Sequence, residues 1–218
     1  MTKYKISHLL LIITSVVFAG IGLLWIFDQF IPNPYPNVTY YVLLSMYIIM
    51  LASTGIIFKT KQLIPIHTYI GFHSIKTKHI YFAILIAFFI YGLDYLYQTR
   101  VLNIDITIEA KNWYKNQTNL IAAFFSTVIF APIIEEMLFR GIILQTFNQY
   151  LNKACSAIVL SVVFALIHFD VLQIPTLIIA SLIYVWLTYN FKSIVPAIIA
   201  HIMNNCLTFM YYISINGI

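Results

Sequence analysis

Residues 130–141 read FAPIIEEMLFRG, and they lie inside a longer, predominantly apolar run that extends over residues 119–147. As a helix, this run of about 29 residues measures roughly 43 Å, more than the ~30 Å hydrocarbon core of a bilayer. The stretch therefore predicts a membrane-spanning helix. Unusually for such a helix, it carries three charged side chains, Glu135, Glu136 and Arg140.

The composition of the whole chain agrees with a membrane protein. Of 218 residues, 61% are hydrophobic and only 9% are charged, whereas soluble domains carry about 25% charged residues. Besides 119–147, six more apolar runs have about the length of a span: 8–27, 40–58, 79–97, 154–169, 171–191 and 194–213. We predict an all-α, polytopic bundle of about seven transmembrane helices in a cell membrane, with no room for a large soluble domain.

The chain divides into an N-terminal region, residues 1–118, and a membrane core, residues 119–218. The first region would hold three spans and a connecting segment. Within that segment, residues 98–118 mix charges with apolar side chains and suit either an interfacial amphipathic helix or a loop.

The net charge of +5 comes from small basic groups beside the apolar runs, so no nucleic-acid partner is expected. Cytoplasmic loops retain Lys and Arg, which sets the orientation of the chain. With a cytoplasmic amino terminus, eight basic residues fall inside: Lys3, Lys5, Lys59, Lys61, Lys76, Lys78, Lys153 and Lys192. Three fall outside: Arg100, Lys111 and Lys115. A seventh span then leaves the carboxyl terminus external.

Each charged side chain at the centre of a span costs about 2.5–3.5 kcal/mol of insertion free energy. The three charges within residues 119–147 must therefore be paired with other groups or have a function. Glu136 and Arg140 are spaced i, i+4 with the acid first, which is the favourable order for a helical ion pair. Glu135 points about 100° away around the helix and is left over. A packing triad, or a solvated cluster at the membrane surface, would be a purely structural explanation.

Two further pairs, each containing a histidine, lie in apolar runs. Phe164 and His168 are i, i+4 near the end of the fifth run, and His201 and Asn205 have the same spacing in the seventh. A single intramembrane histidine is commonly a hydrogen-bonded core residue. Polar groups on three helices carry a stronger joint signal, because each helix must turn them inward, where they can meet.

Taken together, E-E-x-x-x-R, F-x-x-x-H and H-x-x-x-N resemble, in order and spacing, the motifs of the CPBP intramembrane protease family. This family includes CAAX prenyl-protein endopeptidases and bacteriocin-immunity proteins, and the resemblance covers about residues 119–215. It implies an endopeptidase that cleaves a membrane-embedded or membrane-associated peptide or protein inside the bilayer. Prenylated proteins, peptide precursors and bacteriocin self-immunity all remain open as its setting.

The resemblance also implies roles for individual residues. Glu135, with His168, would activate the water that attacks the scissile carbonyl, while His201 and Asn205 would stabilise the oxyanion. The residue types suit these roles, since carboxylates and imidazoles exchange protons and amide or imidazole N–H groups stabilise an oxyanion. Supporting residues around Glu135 would be Glu136, Arg140 and Phe164.

The family is also described as metalloprotease-like, and zinc binds glutamate and histidine. The sequence lacks H-E-x-x-H, so we favour a metal-free site and leave zinc open. The ligands in that case would be Glu135, His168 and His201.

Three other functions compete with proteolysis. One is a non-catalytic immunity or scaffold protein that binds a membrane partner. Another is a redox protein with His168 and His201 as axial haem ligands, in which E-E-x-x-x-R has no role. The third is a proton-coupled transporter, for which the chain lacks a pair of broken helices in corresponding halves.

Overall fold

Six helical segments account for most of residues 71–115 and 119–217, the part of the chain that the computed structural model describes. They are α1 (Thr77–Leu96), α2 (Ile106–Lys115), α3 (Leu120–Phe147), α4 (Lys153–Leu166), α5 (Ile174–Phe191) and α6 (Val195–Ile215). No strand occurs in these two ranges, so the all-α class is confirmed for them.

Four helices are long and apolar enough to cross a bilayer: α1 with its continuation to Val101, α3, α5 and α6. They correspond to the predicted spans at 79–97, 119–147, 171–191 and 194–213. The predicted spans at 8–27 and 40–58 lie outside the described residues. The count of seven is therefore not confirmed.

The fifth predicted span, residues 154–169, differs from the structure. Helix α4 has 14 residues and ends at Leu166, so it measures about 21 Å and is too short to cross the bilayer alone. Phe169 has a φ of 54°, in the left-handed region, which stops the helix. His168 consequently lies in the turn after α4, and its amide donates to the carbonyl oxygen of Ala165.

Helix α3 is not a regular α-helix. Its segments are α-helical at Leu120–Ala123, Ala131–Glu136 and Leu144–Phe147, and π-helical at Phe124–Phe130 and Met137–Ile143. Pro132 has no N–H group and cannot continue the α-helical ladder. π-Helical turns inside helices often mark functional sites. Here they flank the segment that carries Glu135 and Glu136.

The last helix, α6, packs against α1, α2, α3 and α5. Its contact with α1 is lined by fully buried alanines, including Ala83 of α1 and Ala197 and Ala200 of α6. Small side chains let two membrane helices approach closely. The helix assigned to the N-terminal region thus packs directly on a helix of the predicted core.

The connecting segment forms helix α2, so residues 98–118 contain a helix rather than a loop alone. Its Trp113 ring meets Phe209 and Tyr212 of α6 edge to face, both at 5.5 Å. Partial burial raises the pKa of Glu109 on the same helix, although a hydrogen bond with Tyr212 opposes that rise.

The two ends of the bundle differ in charge. Ser193 donates to the carbonyl oxygen of His73 (2.9 Å) and Tyr189 to that of Lys153 (3.4 Å), which brings three chain segments to one end. That end carries Lys76, Lys78, Lys153 and Lys192, the described members of the predicted cytoplasmic set. A cavity of about 390 Å³ elsewhere on the surface is lined by Asp105, Glu109 and Asp170, which lie among the predicted external segments.

Candidate functional site

A buried ion pair anchors the site. Arg140 Nη1 donates to Glu136 Oε1 at 2.9 Å, and both side chains are fully buried. The pairing that the i, i+4 spacing predicts is therefore confirmed. Arg140 Nη2 also donates to Ser181 of α5, at 2.7 Å to Oγ and 3.2 Å to the carbonyl oxygen. Hydrogen bonds from one guanidinium thus join α3 to α5.

Two aromatic rings flank the same guanidinium. Arg140 Cζ lies 4.6 Å from the ring centroid of Phe164 and 5.3 Å from that of Tyr184. A cation near aromatic rings gains a favourable electrostatic interaction, which is larger when the cation is desolvated. The ion pair, the hydrogen bonds and the rings together offset part of the cost of burying the charge; among the described residues, Arg140 Nε and Glu136 Oε2 have no hydrogen-bond partner.

His201 is bound to this ion pair. Its Nδ1 lies 2.9 Å from Glu136 Oε1, and because the carboxylate accepts, Nδ1 is the nitrogen that carries the proton. The imidazole stacks on Tyr184, with centroids 5.0 Å apart and an interplanar angle of 21°. The hydrogen bond to Glu136 holds the Nδ1 edge of the imidazole, and Tyr184 holds one face of the ring. Its other nitrogen, Nε2, lies 3.9 Å from Glu135 Oε2.

The adjacent glutamates have different surroundings. Glu136 is fully buried, whereas the Glu135 side chain is 17% exposed. The 3.9 Å between Glu135 and His201 exceeds the length of a hydrogen bond. The interpretation that Glu136 and Arg140 orient Glu135 is therefore incomplete, because their observed hydrogen bonds orient His201.

His168 contacts Phe164 instead. Its Nδ1 is 2.7 Å from the carbonyl oxygen of Phe164, and since a carbonyl only accepts, this nitrogen also carries a proton. The imidazole lies 4.7 Å from the Phe164 ring, which in turn meets the His201 ring at 6.2 Å. Phe164 therefore touches both histidines and the Arg140 guanidinium.

Asn205 is engaged with α3. Its Nδ2 donates to the carbonyl oxygen of Thr127 at 2.9 Å. An amide has two N–H groups, so this contact uses one of the donors that the sequence assigned to an oxyanion.

Three residues at this site belong to none of the sequence motifs: Thr127, Ser181 and Tyr184. The two on α5 carry a weak signal, because they are polar-bearing residues three positions apart in an apolar helix and so share one face. Nothing local to Thr127 indicates its contact with a residue 78 positions away.

The residues do not fit bound zinc as they are arranged. In the described part of the chain, no three His, Cys, Asp or Glu side chains group as metal ligands would. Of the proposed ligands Glu135, His168 and His201, both histidines donate through Nδ1, to a backbone carbonyl and to Glu136 respectively, so Nε2 is the nitrogen of each ring that could still bind a metal.

The helical bundle and its buried polar cluster define a membrane-embedded protein with a site inside its spans. Residues 117–207 match the family described as Type II CAAX prenyl endopeptidase Rce1-like, which is consistent with the CPBP family indicated by the motifs. The matched segment contains every site residue described above. Comparisons with curated proteins and with solved structures gave no match.

Proposed function

We propose that the chain is an intramembrane endopeptidase in which Glu135 activates water for attack on a peptide bond. The observation that carries this proposal is the 3.9 Å between Glu135 Oε2 and His201 Nε2. A water oxygen about 2.8 Å from both atoms would subtend roughly a right angle between them, close enough to ideal for it to donate one proton to each. Its lone pairs would then face the substrate.

In the first step, the water oxygen forms a bond to the scissile carbonyl carbon. Glu135 takes one water proton, and the carbonyl electrons move to its oxygen. When the tetrahedral species collapses, the C–N bond breaks and Glu135 returns the proton to the leaving nitrogen. A carboxylate base of this kind typically contributes about 10²–10⁴ in rate.

The proton on His201 decides which role that residue can have. Because Nδ1–H is donated to Glu136, neutral His201 has an acceptor at Nε2 and orients the water. It could stabilise an oxyanion only as imidazolium, with a second proton on Nε2. The remaining N–H of Asn205 is then the oxyanion donor that the neutral site retains.

His168 has a separate role in this scheme. Its Nδ1–H is held by the Phe164 carbonyl, so Nε2 of the neutral ring is available to carry a proton between the site and the surroundings. Its exposed position after the end of α4 supports this assignment.

The substrate would be a peptide or protein embedded in the membrane or associated with it, because the site lies within spanning helices. Processing of peptide precursors and self-immunity to a bacteriocin are the cellular settings we propose. Neither proposal requires a cofactor.

Peptides in the membranes of producing cells provide the test. Mass spectrometry would compare wild type with Glu135→Ala and with Glu109→Ala, which removes a carboxylate on α2 outside the site. We expect uncut peptides to accumulate only with Glu135→Ala. Identical peptide profiles in all three strains, with immunity or partner binding intact, would instead favour a non-catalytic scaffold.

A further inference from the structure

The π-helical register of α3 leaves the carbonyl oxygen of Thr127 without a backbone N–H donor. In the π-helical turn, the amide of Ala131 donates five residues back, to Ser126. The next amide in that register would serve Thr127, but it belongs to Pro132, which has no N–H group. The donor to the Thr127 carbonyl oxygen must therefore come from another part of the protein.

Asn205 supplies that donor from α6. Its Nδ2 lies 2.9 Å from the Thr127 oxygen, in a partly buried contact between the two helices. A buried carbonyl that loses its only partner keeps the full cost of desolvation. The Asn205 contact is therefore needed only while the turn is π-helical. In a regular α-helix, the amide of Ala131 would donate to the carbonyl oxygen of Thr127.

The turn also determines where the two glutamates point. A π-helical turn takes up one extra residue, and each residue turns an α-helix by about 100°. If the turn relaxed to α-helix, the following segment would rotate by about one position relative to the preceding one. Glu135 and Glu136 are adjacent, so a shift of this size would move both away from their present places beside His201.

We propose that Asn205 is a positioning residue that stabilises the π-helical turn before Pro132 and thereby fixes Glu135 opposite His201. Its effect on turnover rests on the proposed endopeptidase function, whereas its effect on the fold does not. This role is additional to the second N–H of Asn205, which can still face an oxyanion.

Thermal unfolding of the purified full-length protein in detergent tests the fold part of this proposal. Asn205→Leu keeps the branched shape and removes the donor. Asn204→Leu is the matched control on the same helix, since the Oδ1 of Asn204 is buried without a hydrogen-bond partner. Pro132→Ala restores an N–H group at the position that would serve Thr127.

We expect Asn205→Leu to lower the unfolding midpoint by about 2–8 °C, and Asn204→Leu to leave it unchanged or raise it. In the Pro132→Ala background, the drop caused by Asn205→Leu should shrink to less than half. An equal drop in both backgrounds would overturn the proposal. So would a drop for Asn204→Leu that matches the one for Asn205→Leu, a result that needs no proline variant.

Turnover separates positioning from a pure oxyanion role. The factor by which Asn205→Leu lowers kcat should be smaller in the Pro132→Ala background, because the restored amide replaces the lost donor to Thr127. An oxyanion donor alone would give the same factor in both backgrounds, and that result would overturn the positioning role. A wild type without turnover would refute the endopeptidase function, while the unfolding measurements would still decide whether Asn205 holds the turn.

Discussion

The two histidines of the site have the same motif spacing and very different surroundings. His201 is 7% exposed, donates to a glutamate 65 residues away, and stacks on Tyr184 of another helix. His168 is exposed beyond the end of α4, and its imidazole hydrogen-bonds to the backbone carbonyl four residues earlier.

This difference shows which contacts couple a side chain to the fold. A backbone carbonyl four residues earlier is present in any helical turn, so the His168 bond requires little of the tertiary structure. The His201 bond exists only when α3 and α6 are packed and Glu136 is held by Arg140. Changes around His201 should therefore have larger effects than changes around His168.

The largest effect is expected for Arg140→Ala. It would leave Glu136 as a buried carboxylate whose remaining partner, among the described residues, is His201, a change that costs about 3–5 kcal/mol when a buried pair is broken. The amount of protein in the membrane should fall strongly, as measured by immunoblot or fluorescence. The exposed Arg100 provides the control, since Arg100→Ala should accumulate normally. Normal abundance and activity of Arg140→Ala would show that the Glu136–Arg140 ion pair does not hold His201 in place.

The next effect is on catalysis, where the two histidines can be compared directly. His201→Gln should lower kcat by at least about 10², since misplacing a reacting group costs this much, and it should leave measurable activity because an amide can replace one hydrogen bond of the ring. His168→Gln should lower kcat by a smaller factor. Purified variants and one fluorogenic membrane peptide suffice for the measurement. A larger loss in His168→Gln would reverse the assignment of the two rings.

Elemental analysis of the same samples addresses zinc. We expect well under one zinc per wild-type chain, because no three His, Cys, Asp or Glu side chains in the described part of the chain group as metal ligands would. Stoichiometric zinc that disappears in His201→Gln together with activity would contradict the metal-free mechanism and leave the protease domain assignment intact.

A smaller effect is expected from the ring that stacks on His201. Tyr184→Leu removes the aromatic face and should lower kcat by up to about 10², since small misplacements of catalytic groups can cost that much. KM should change little. Tyr184→Phe keeps the stacking and should retain most of the activity. Tyr189→Leu, the same change five residues later on α5, should not alter kcat per folded molecule. Equal losses in the Leu and Phe variants of Tyr184 would show that stacking does not position His201.

Local patterns predicted the parts of this site that depend on helix geometry. The Glu136–Arg140 pair follows from i, i+4 spacing, and four spans follow from the length of apolar runs. The fifth run is not confirmed as a span, because α4 ends at Leu166 and the last residues of the run are apolar but not helical. Hydropathy does not register the left-handed φ of Phe169 that ends α4.

Contacts between helices could not be predicted in this way. The positions of Glu135 and His201 within two separate apolar runs do not determine whether their side chains meet, because helix packing sets that distance. Ser181 and Tyr184 carry no charge and belong to no motif, so their contacts with Arg140 and His201 appear only once α5 is packed.

The smallest effect concerns the two ends of the bundle, where substitutions should leave activity unchanged. In a background without the free Cys155 and Cys206, Lys153→Cys should resist a membrane-impermeant thiol reagent in intact cells. Lys111→Cys should react with it. Both variants should react after the cells are opened. The reverse pattern in intact cells would invert the predicted topology.

The central claim is that Glu135 is the base and that its neighbour Glu136 is structural, and turnover of purified Glu135→Gln tests it most directly. Glutamine keeps the volume of the side chain, so the unfolding midpoint should stay near that of wild type, whereas cleavage of the membrane peptide should fall to background. Glu136→Gln should instead lower the midpoint, because it weakens a buried ion pair. Glu135→Gln that folds normally and retains more than a small fraction of wild-type turnover would contradict the mechanism.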